Sequence, residues 1–343
     1  MQAVILAAGK STRTYPLTIT RPKPLLKVAN KTLLEHNLDN LPGTIDEVII
    51  IVGYKKDLIK KYFGHKYKSL KIKYVEQKQQ LGTGHAALLA EPFIKDKFIL
   101  MAGDDIYSKT DINNSIKHQY SILVNKTKSW RNFGVVQMKN KLLADFVEKP
   151  EKFVSDFVNT AFYVLNKKIF FYLHKLRISS RNEYEFPDAL KLLSKDEQVH
   201  CVRATQWLPI AYPWDLLNAD RKLRGKKSLI GKNSKIYGKV INSTIGKNCV
   251  IKGTVKNSLI MDNAVIDDGS IVEDSVIGEK TYFKGKILAK NNVASLANKK
   301  MIKVSRFGAI IGDDSRLSDV VIAAGSKISP GSMIADRKIS GDT

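Results

Sequence analysis

At 343 residues the chain is long enough for two cores, and its hydrophobic and charged fractions, 43% and 26%, are those of a globular protein. Apolar runs stop at a few residues, as in "VIIIV" at 48–52, which excludes a bilayer-spanning helix; two distant cysteines, Cys201 and Cys249, exclude a disulfide framework and suit a reducing cytoplasm. The formal charge of +24 is spread out, with 20 Lys+Arg against 11 Asp+Glu after residue 225 and 37 against 22 before it, which fits solvated faces rather than a nucleic-acid binder and is compatible with a field that draws small anions.

Residues 1–225 alternate strand-like and helix-like stretches. "AVILAA" (3–8) reads as a buried strand and "TLLEHNLDNL" (32–41) as a helix. "EVIIIVG" (47–53) and "KIKYVEQ" (71–77) are further strands, separated by the helix-like "KDLIKKYFG" (56–64). "GHAALLAEPF" (84–93) is a helix and "KFILMAGDD" (97–105) a strand. The alternation predicts an α/β, Rossmann-like domain with a parallel sheet, whose ligands sit beyond the carboxyl ends of the strands. The unusual segments of this half follow Ala8, Gln77 and Ala102, all at such ends.

Residues 226–343 keep a different period. Apolar residues recur every six, as Ile245 and Ile251, Ile260 and Ile266, Ile277 and Phe283, and Ile322 and Ile328, with Gly, Asn and Asp between them. A hexapeptide beat predicts a solenoid of short strands and tight corners. It breaks near 284–308, where an irregular loop or distorted coil is expected.

The stretches "LAAGKSTR" (6–13) and "RPKPLL" (21–26) fit neither of the common phosphate-loop patterns. Together with "LGTGHA" (81–86), "GDD" (103–105), "FVEKP" (146–150), "NTAFYVL" (159–165) and "PWDLLNA" (213–219), they resemble the sugar-1-phosphate nucleotidyltransferases, in the right order along the first half. The layout is most similar to long archaeal-type members, related to the bifunctional N-acetylglucosamine-1-phosphate uridylyltransferases and to glucose-1-phosphate thymidylyltransferases. The resemblance implies that the solenoid is a left-handed β-helix, although ordinary crossovers favour the right hand.

It also implies a reaction: a sugar 1-phosphate attacks UTP or dTTP, giving a nucleotide sugar and pyrophosphate, with Mg²⁺ between the phosphates. Leu6, Ala8 and Gly9 would bring backbone close to the nucleotide. Arg13 would hold the departing phosphates and Lys23 the α-phosphate. Gln77, Gly82 and Thr83 would read the base, and Asp104 would hold the metal, with Asp105 as runner-up. Gly134, Glu148, Lys149 and Asn159 would bind the sugar phosphate, with Glu183 and Tyr184 as weaker candidates. His85 is expected to be structural, Gln79 and Gln80 solvated, and Trp207 and Trp214 packed.

Three departures stand out. Ser11 occupies a place where the family usually has Gly. In "WLPIAYP" (207–213), Pro209 replaces an expected second metal-binding Asp; Asp215 is a weak substitute. All six histidines lie at or before His200, so the histidine-dependent acetyl transfer of bifunctional relatives is not expected. The resemblance implies a cytoplasmic homotrimer or other homo-oligomer assembled through the β-helix. The alternative, suggested by Pro209, is a non-catalytic nucleotide-sugar-binding regulatory or assembly subunit.

Overall fold

A computed structural model describes residues 1–343. The chain forms two compact units, one of Met1–Gly9 with Leu34–Leu208, the other of Lys10–Leu33 with Pro209–Thr343.

The first unit is built on a sheet of ten strands. Four of them, Phe98–Ala102, Gln2–Ala7, Glu47–Val52 and Leu70–Glu76, run parallel in that spatial order. Their registers place Ile5 beside both Ile50 and Met101. The first three read as nearly unbroken apolar runs because both faces are covered, whereas Leu70–Glu76 alternates, with Lys71 and Lys73 exposed. Helices Gly82–Leu88, Lys168–Leu173 and Phe186–Asp196 supply Ala86, Phe170 and Leu190 to the same core as Val4, Ile49 and Leu100. The sheet then continues in mixed fashion: Phe157–Leu165 runs antiparallel to Phe98–Ala102 and to Ser121–Lys126. Alternating βα patterning therefore describes the first hundred residues, and the antiparallel extension is an addition to it.

The second unit contains the hexapeptide solenoid. One of its sheets stacks Leu229–Ile230, Thr244–Ile245, Leu259–Ile260, Val276–Ile277, Ile310–Ile311 and Lys327–Ile328, all parallel. Ile245, Ile251, Ile260, Ile266, Ile277 and Phe283 point inward and are fully buried. Ile230 and Ile236 keep the period but are 45% and 37% exposed, because they belong to the edge of the stack. Corners are held by ladders of like residues. Asn233 donates to Asn248 at 3.3 Å and Asn248 to Asn263 at 3.2 Å, each step 15 residues along the chain. All three have positive φ, a conformation that Asn tolerates better than most residues.

The break in the period is an ordered β-hairpin, Lys290–Ala297 against Lys300–Phe307. Asn298 and Lys299 form its turn, with φ of 48° and 63°. Positive φ at both turn residues matches the twist of the flanking strands. This corrects the expectation of a loop or distorted coil.

Segment 10–33 packs on this unit. Its small ladder, Lys27–Val28 with Lys31–Thr32, is antiparallel. The Ala29 N–H donates to Asp220 on helix Asp215–Arg224 at 2.9 Å, and the Asn30 amide donates to the Ile245 carbonyl at 3.0 Å.

Candidate functional site

In the first unit, the loops after adjacent parallel strands are tied to one another. The Ala8 carbonyl accepts the Tyr54 N–H at 3.0 Å and the Gln80 side-chain amide at 2.8 Å. Gln80, expected to be solvated, thus fixes the loop that follows the first strand. The Gly103 N–H donates to the Leu6 carbonyl at 2.9 Å, and the Gln77 N–H to the Val52 carbonyl at 2.8 Å. Leu6, Ala8, Gly9, Gln77 and Asp104 are therefore brought to one edge of the sheet.

Gln77 is only 5% exposed. Its amide nitrogen donates to the Gly82 carbonyl at 3.1 Å and lies 3.0 Å from His85 Nδ1. The donor is committed internally, which leaves the side-chain carbonyl as the group to offer a ligand. His85 is a structural partner, as expected, and the residue it orients is Gln77. Gly82 has φ +94, and a Cβ there would lie 2.7 Å from the Tyr184 carbonyl oxygen, so only glycine fits. The Thr83 hydroxyl accepts the Phe186 N–H at 3.1 Å, anchoring the segment that carries Glu183 and Tyr184.

Asp104 follows strand Phe98–Ala102 at its carboxyl end. Asp105 accepts the Trp207 indole N–H at 3.1 Å, and its backbone carbonyl takes the Asn37 amide at 2.7 Å. Trp207 is packed as expected and also orients this carboxylate. Nearby Tyr107 is fully buried and donates to the Thr160 carbonyl at 2.6 Å; burial, then the fields of Asp105 and Asp104, holds its phenol well above the ordinary range. No group of three or more His, Cys, Asp or Glu converges as a preformed metal site. Two adjacent carboxylates at a strand end do fit a Mg²⁺ ion that arrives on a triphosphate, since such an ion takes most of its ligands from phosphate and water.

On the antiparallel side, Gly134 pairs with Glu148. A Cβ on Gly134 would lie 2.7 Å from Glu148 Oε2 and 2.2 Å from the Phe146 ring, so any larger residue would push both side chains aside. Lys149 adopts φ 43°, a conformation that costs a non-glycine residue about 1 kcal/mol. Glu148 and Lys149 line a cavity of about 320 Å³ together with Arg181, Glu185 and Asp188. Arg181 bridges Glu148 at 3.3 Å and Glu185 at 2.8 Å. Burial, followed by the Glu185 charge, raises the Asp188 carboxyl above its ordinary value. Glu185 and Asp188 lie in the stretch "NEYEFPDAL" (182–190), which the resemblance places near the sugar, but only Glu183 and Tyr184 were named from it, and Arg181 just before it was missed. Asn159 does not line this cavity. Its amide donates to the Tyr163 hydroxyl at 2.7 Å and accepts the Ala161 N–H at 2.9 Å, across a bulge in its own strand.

In the second unit, Arg13 sits in the short turn Thr12–Thr14. The turn begins with Ser11 in the left-handed region, φ 52° and ψ 49°, which is why glycine suits this place. The Ser11 carbonyl accepts the Thr14 N–H, the Thr14 hydroxyl and the Thr18 hydroxyl at 3.1, 2.7 and 2.9 Å, which hold the turn despite the side chain. Arg13, Thr12 and Tyr15 line a cavity of about 490 Å³ with Lys299 and Lys327. Nothing in the sequence pointed to Lys299 there. Lys23 opens the turn Lys23–Leu25 between two prolines and is buried, with 5% exposure. Asp215 accepts the Ala211 and Tyr212 N–H groups at 2.8 and 2.7 Å, so it closes the start of its helix. Burial raises its pKa, while those N–H bonds and the charges of Lys23 and Arg13 pull it down.

Fold and site define a nucleotide-handling α/β protein with an appended hexapeptide β-helix. The chain belongs to the nucleotidyl transferase family, which matches residues 2–225; residues 227–293 match the GlmU-like C-terminal hexapeptide family. A "Bifunctional protein GlmU" from Methanocaldococcus jannaschii is 38% identical over 248 residues, 70% of this chain and 60% of that protein. The chain thus spans well under two thirds of that relative's length. "UTP--glucose-1-phosphate uridylyltransferase AglF" from Haloferax volcanii is 35% identical over 237 residues, 65% of this chain and 97% of that one. The solved structure of UDP-glucose pyrophosphorylase complexed with UDP-glucose shares the fold, with a TM-score of 0.59 and 23% identity over 66% of this chain and 99% of that one. No helix is long and apolar enough to cross a membrane.

Proposed function

We propose that this protein is a sugar-1-phosphate uridylyl- or thymidylyltransferase. The observation that carries the reading is the convergence of the Ala8–Gly9 loop, Gln77 with Gly82, and Asp104 at one sheet edge, locked by the bonds to the Ala8 and Leu6 carbonyls. Residues 1–225 would perform the transfer and 226–343 would support it.

In this reading the exposed backbone at Ala8 and Gly9 receives the nucleotide, and the Gln77 carbonyl accepts the N3–H of uracil or thymine. An oxygen of the sugar phosphate attacks the α-phosphorus, and the bond from that phosphorus to the bridging oxygen of pyrophosphate breaks. The nucleophile is already an anion, so no general base is needed. Lys23 meets charge developing on the α-phosphate and Arg13 the leaving pyrophosphate. Asp104 would hold a Mg²⁺ ion brought by the triphosphate, and that ion would supply charge neutralisation at the phosphate oxygens. Glu148 accepts from sugar hydroxyls, and Lys149 reaches the sugar phosphate. Gly134 presents backbone beside them, and Asn159 contributes the amide N–H that its bond to Tyr163 leaves over.

The solenoid supplies no histidine, so histidine-dependent acetyl transfer is absent from the proposal. Exposed Ile230, Ile236, Tyr237, Val321 and Met333 favour its packing against other copies, in a homotrimer or another homo-oligomer. A second reading, a non-catalytic nucleotide-sugar-binding subunit, is favoured by Pro209, which offers no metal ligand. The deciding experiment measures pyrophosphate release with Mg²⁺ across UTP, dTTP, CTP, ATP and GTP, each with glucose 1-phosphate and N-acetylglucosamine 1-phosphate. Release with UTP or dTTP, lowered about a hundredfold or more by Asp104→Ala, supports the enzyme. Nucleotide binding without release supports the subunit.

A further inference from the structure

Ile260, Ile277 and Ile311 are successive rungs of one solenoid ladder. Two residues after each, the chain carries an acid: Asp262, Glu279 and Asp313. Adjacent rungs of a sheet lie about 4.8 Å apart, so three carboxylates stand in a column. Their side chains are only 14%, 21% and 3% exposed. Like charges so close and so desolvated repel strongly unless cations face them.

The cations come from one short stretch of segment 10–33. Arg21 reaches Glu279 at 2.5 Å and Asp313 at 2.6 Å, and Lys27 reaches Asp262 at 2.5 Å and Glu279 at 3.6 Å. The Thr20 hydroxyl also donates to Asp313. Two of the carboxylates are divided between tasks. Asp313 Oδ1 accepts the Glu279 N–H at 2.7 Å and Asp262 Oδ1 the Lys247 N–H at 3.0 Å, which closes solenoid turns, while each Oδ2 holds the cation.

Stability alone does not account for this arrangement. Buried pairs repay little more than their desolvation, and Arg21 Nε is itself buried without a partner. What the arrangement supplies is geometry. Two cations six residues apart are pinned to three coils, and Lys23 lies between them, flanked by Pro22 and Pro24 with their fixed φ. We propose that the Asp262–Glu279–Asp313 column is a positioning device: by clamping Arg21 and Lys27 it sets the aim of Lys23, which makes the solenoid part of the nucleotidyl-transfer machinery. The inference rests on the function proposed above.

The test uses the full chain with Asp313→Asn, Arg21→Gln and Arg21→Lys, and Lys252→Gln as a control that breaks the exposed Lys252–Asp267 pair elsewhere on the solenoid. Asparagine keeps the Oδ1 acceptor, so the turn at Glu279 is preserved. Asp313→Asn and Arg21→Gln should lower the melting temperature, since each leaves a buried charge without its partner, and in the folded protein should lower kcat for pyrophosphate release about tenfold or more with KM for UTP near the parent's. Arg21→Lys should recover part of the rate, and the control should lose none. Amide exchange at Leu25 and Leu26, whose N–H groups donate to the Pro22 and Lys23 carbonyls, should accelerate in Asp313→Asn. Parental kcat in both folded variants, or an equal loss in the control, overturns the proposal. If the parent itself releases no pyrophosphate, the functional reading fails separately; faster exchange at Leu25 and Leu26 then still supports the clamp, and unchanged exchange overturns it.

Discussion

Ser11 illustrates how a single residue carries both a departure from family pattern and its compensation. Its left-handed backbone costs about 1 kcal/mol relative to glycine, and three donors on its carbonyl hold it there. Relief of that strain exceeds the freedom a glycine adds to the unfolded chain, so Ser11→Gly should raise stability by about 0.5 kcal/mol in a denaturant titration. The cysteines give a second expectation at this scale. Burial pushes the Cys201 thiol up to about 12 and the Cys249 thiol up to about 11. At pH 8 the thiolate is scarce at both sites, and the nucleophile is the thiolate. Iodoacetamide should leave both unlabelled in the native protein and label both after unfolding, read by mass spectrometry.

At the scale of elements, the hairpin Lys290–Ala297/Lys300–Phe307 shows how local chemistry can be read too coarsely. "NK" at 298–299 sits between two runs of eight that alternate in part, and both turn residues take positive φ. Lys299→Gly creates the preferred Asn-Gly turn and should stabilise the hairpin by about 0.5–1 kcal/mol, visible as slower amide exchange at Ala297 and Lys300, the pair that closes the turn. The strand-end loops behave in the opposite way. Their order was plain from motifs, but the bonds that lock them, Gln80 to the Ala8 carbonyl and His85 to Gln77, join residues whose side chains looked solvent-facing or merely structural.

Across the whole molecule, the two units rest on different kinds of core. The solenoid's is three columns of inward residues, which run through Ile260, Ile266 and Val272, each residue supported chiefly by the coils above and below. Ile260→Ala, fully buried within it, should cost about 2–5 kcal/mol and lower the melting temperature of the β-helix unit. Periodicity was enough to determine the parallel part of the sheet and the solenoid from sequence: buried strands, amphipathic helices and a six-residue beat report local geometry, and local geometry follows from the residues at hand. The same holds for the strand-end motifs, because a parallel sheet places all its carboxyl ends on one edge. Other features were decided only by tertiary structure. Segment 10–33 joins the solenoid unit rather than the sheet unit. Arg181, Glu185 and Asp188 share a cavity with Glu148. Arg21 and Lys27 meet a column of acids more than two hundred residues away, at sequence separations as large as 292. Contacts of that range depend on where independently formed elements dock. No repeat or motif within a short window carries that information, even though the acids themselves recur in step with the coils.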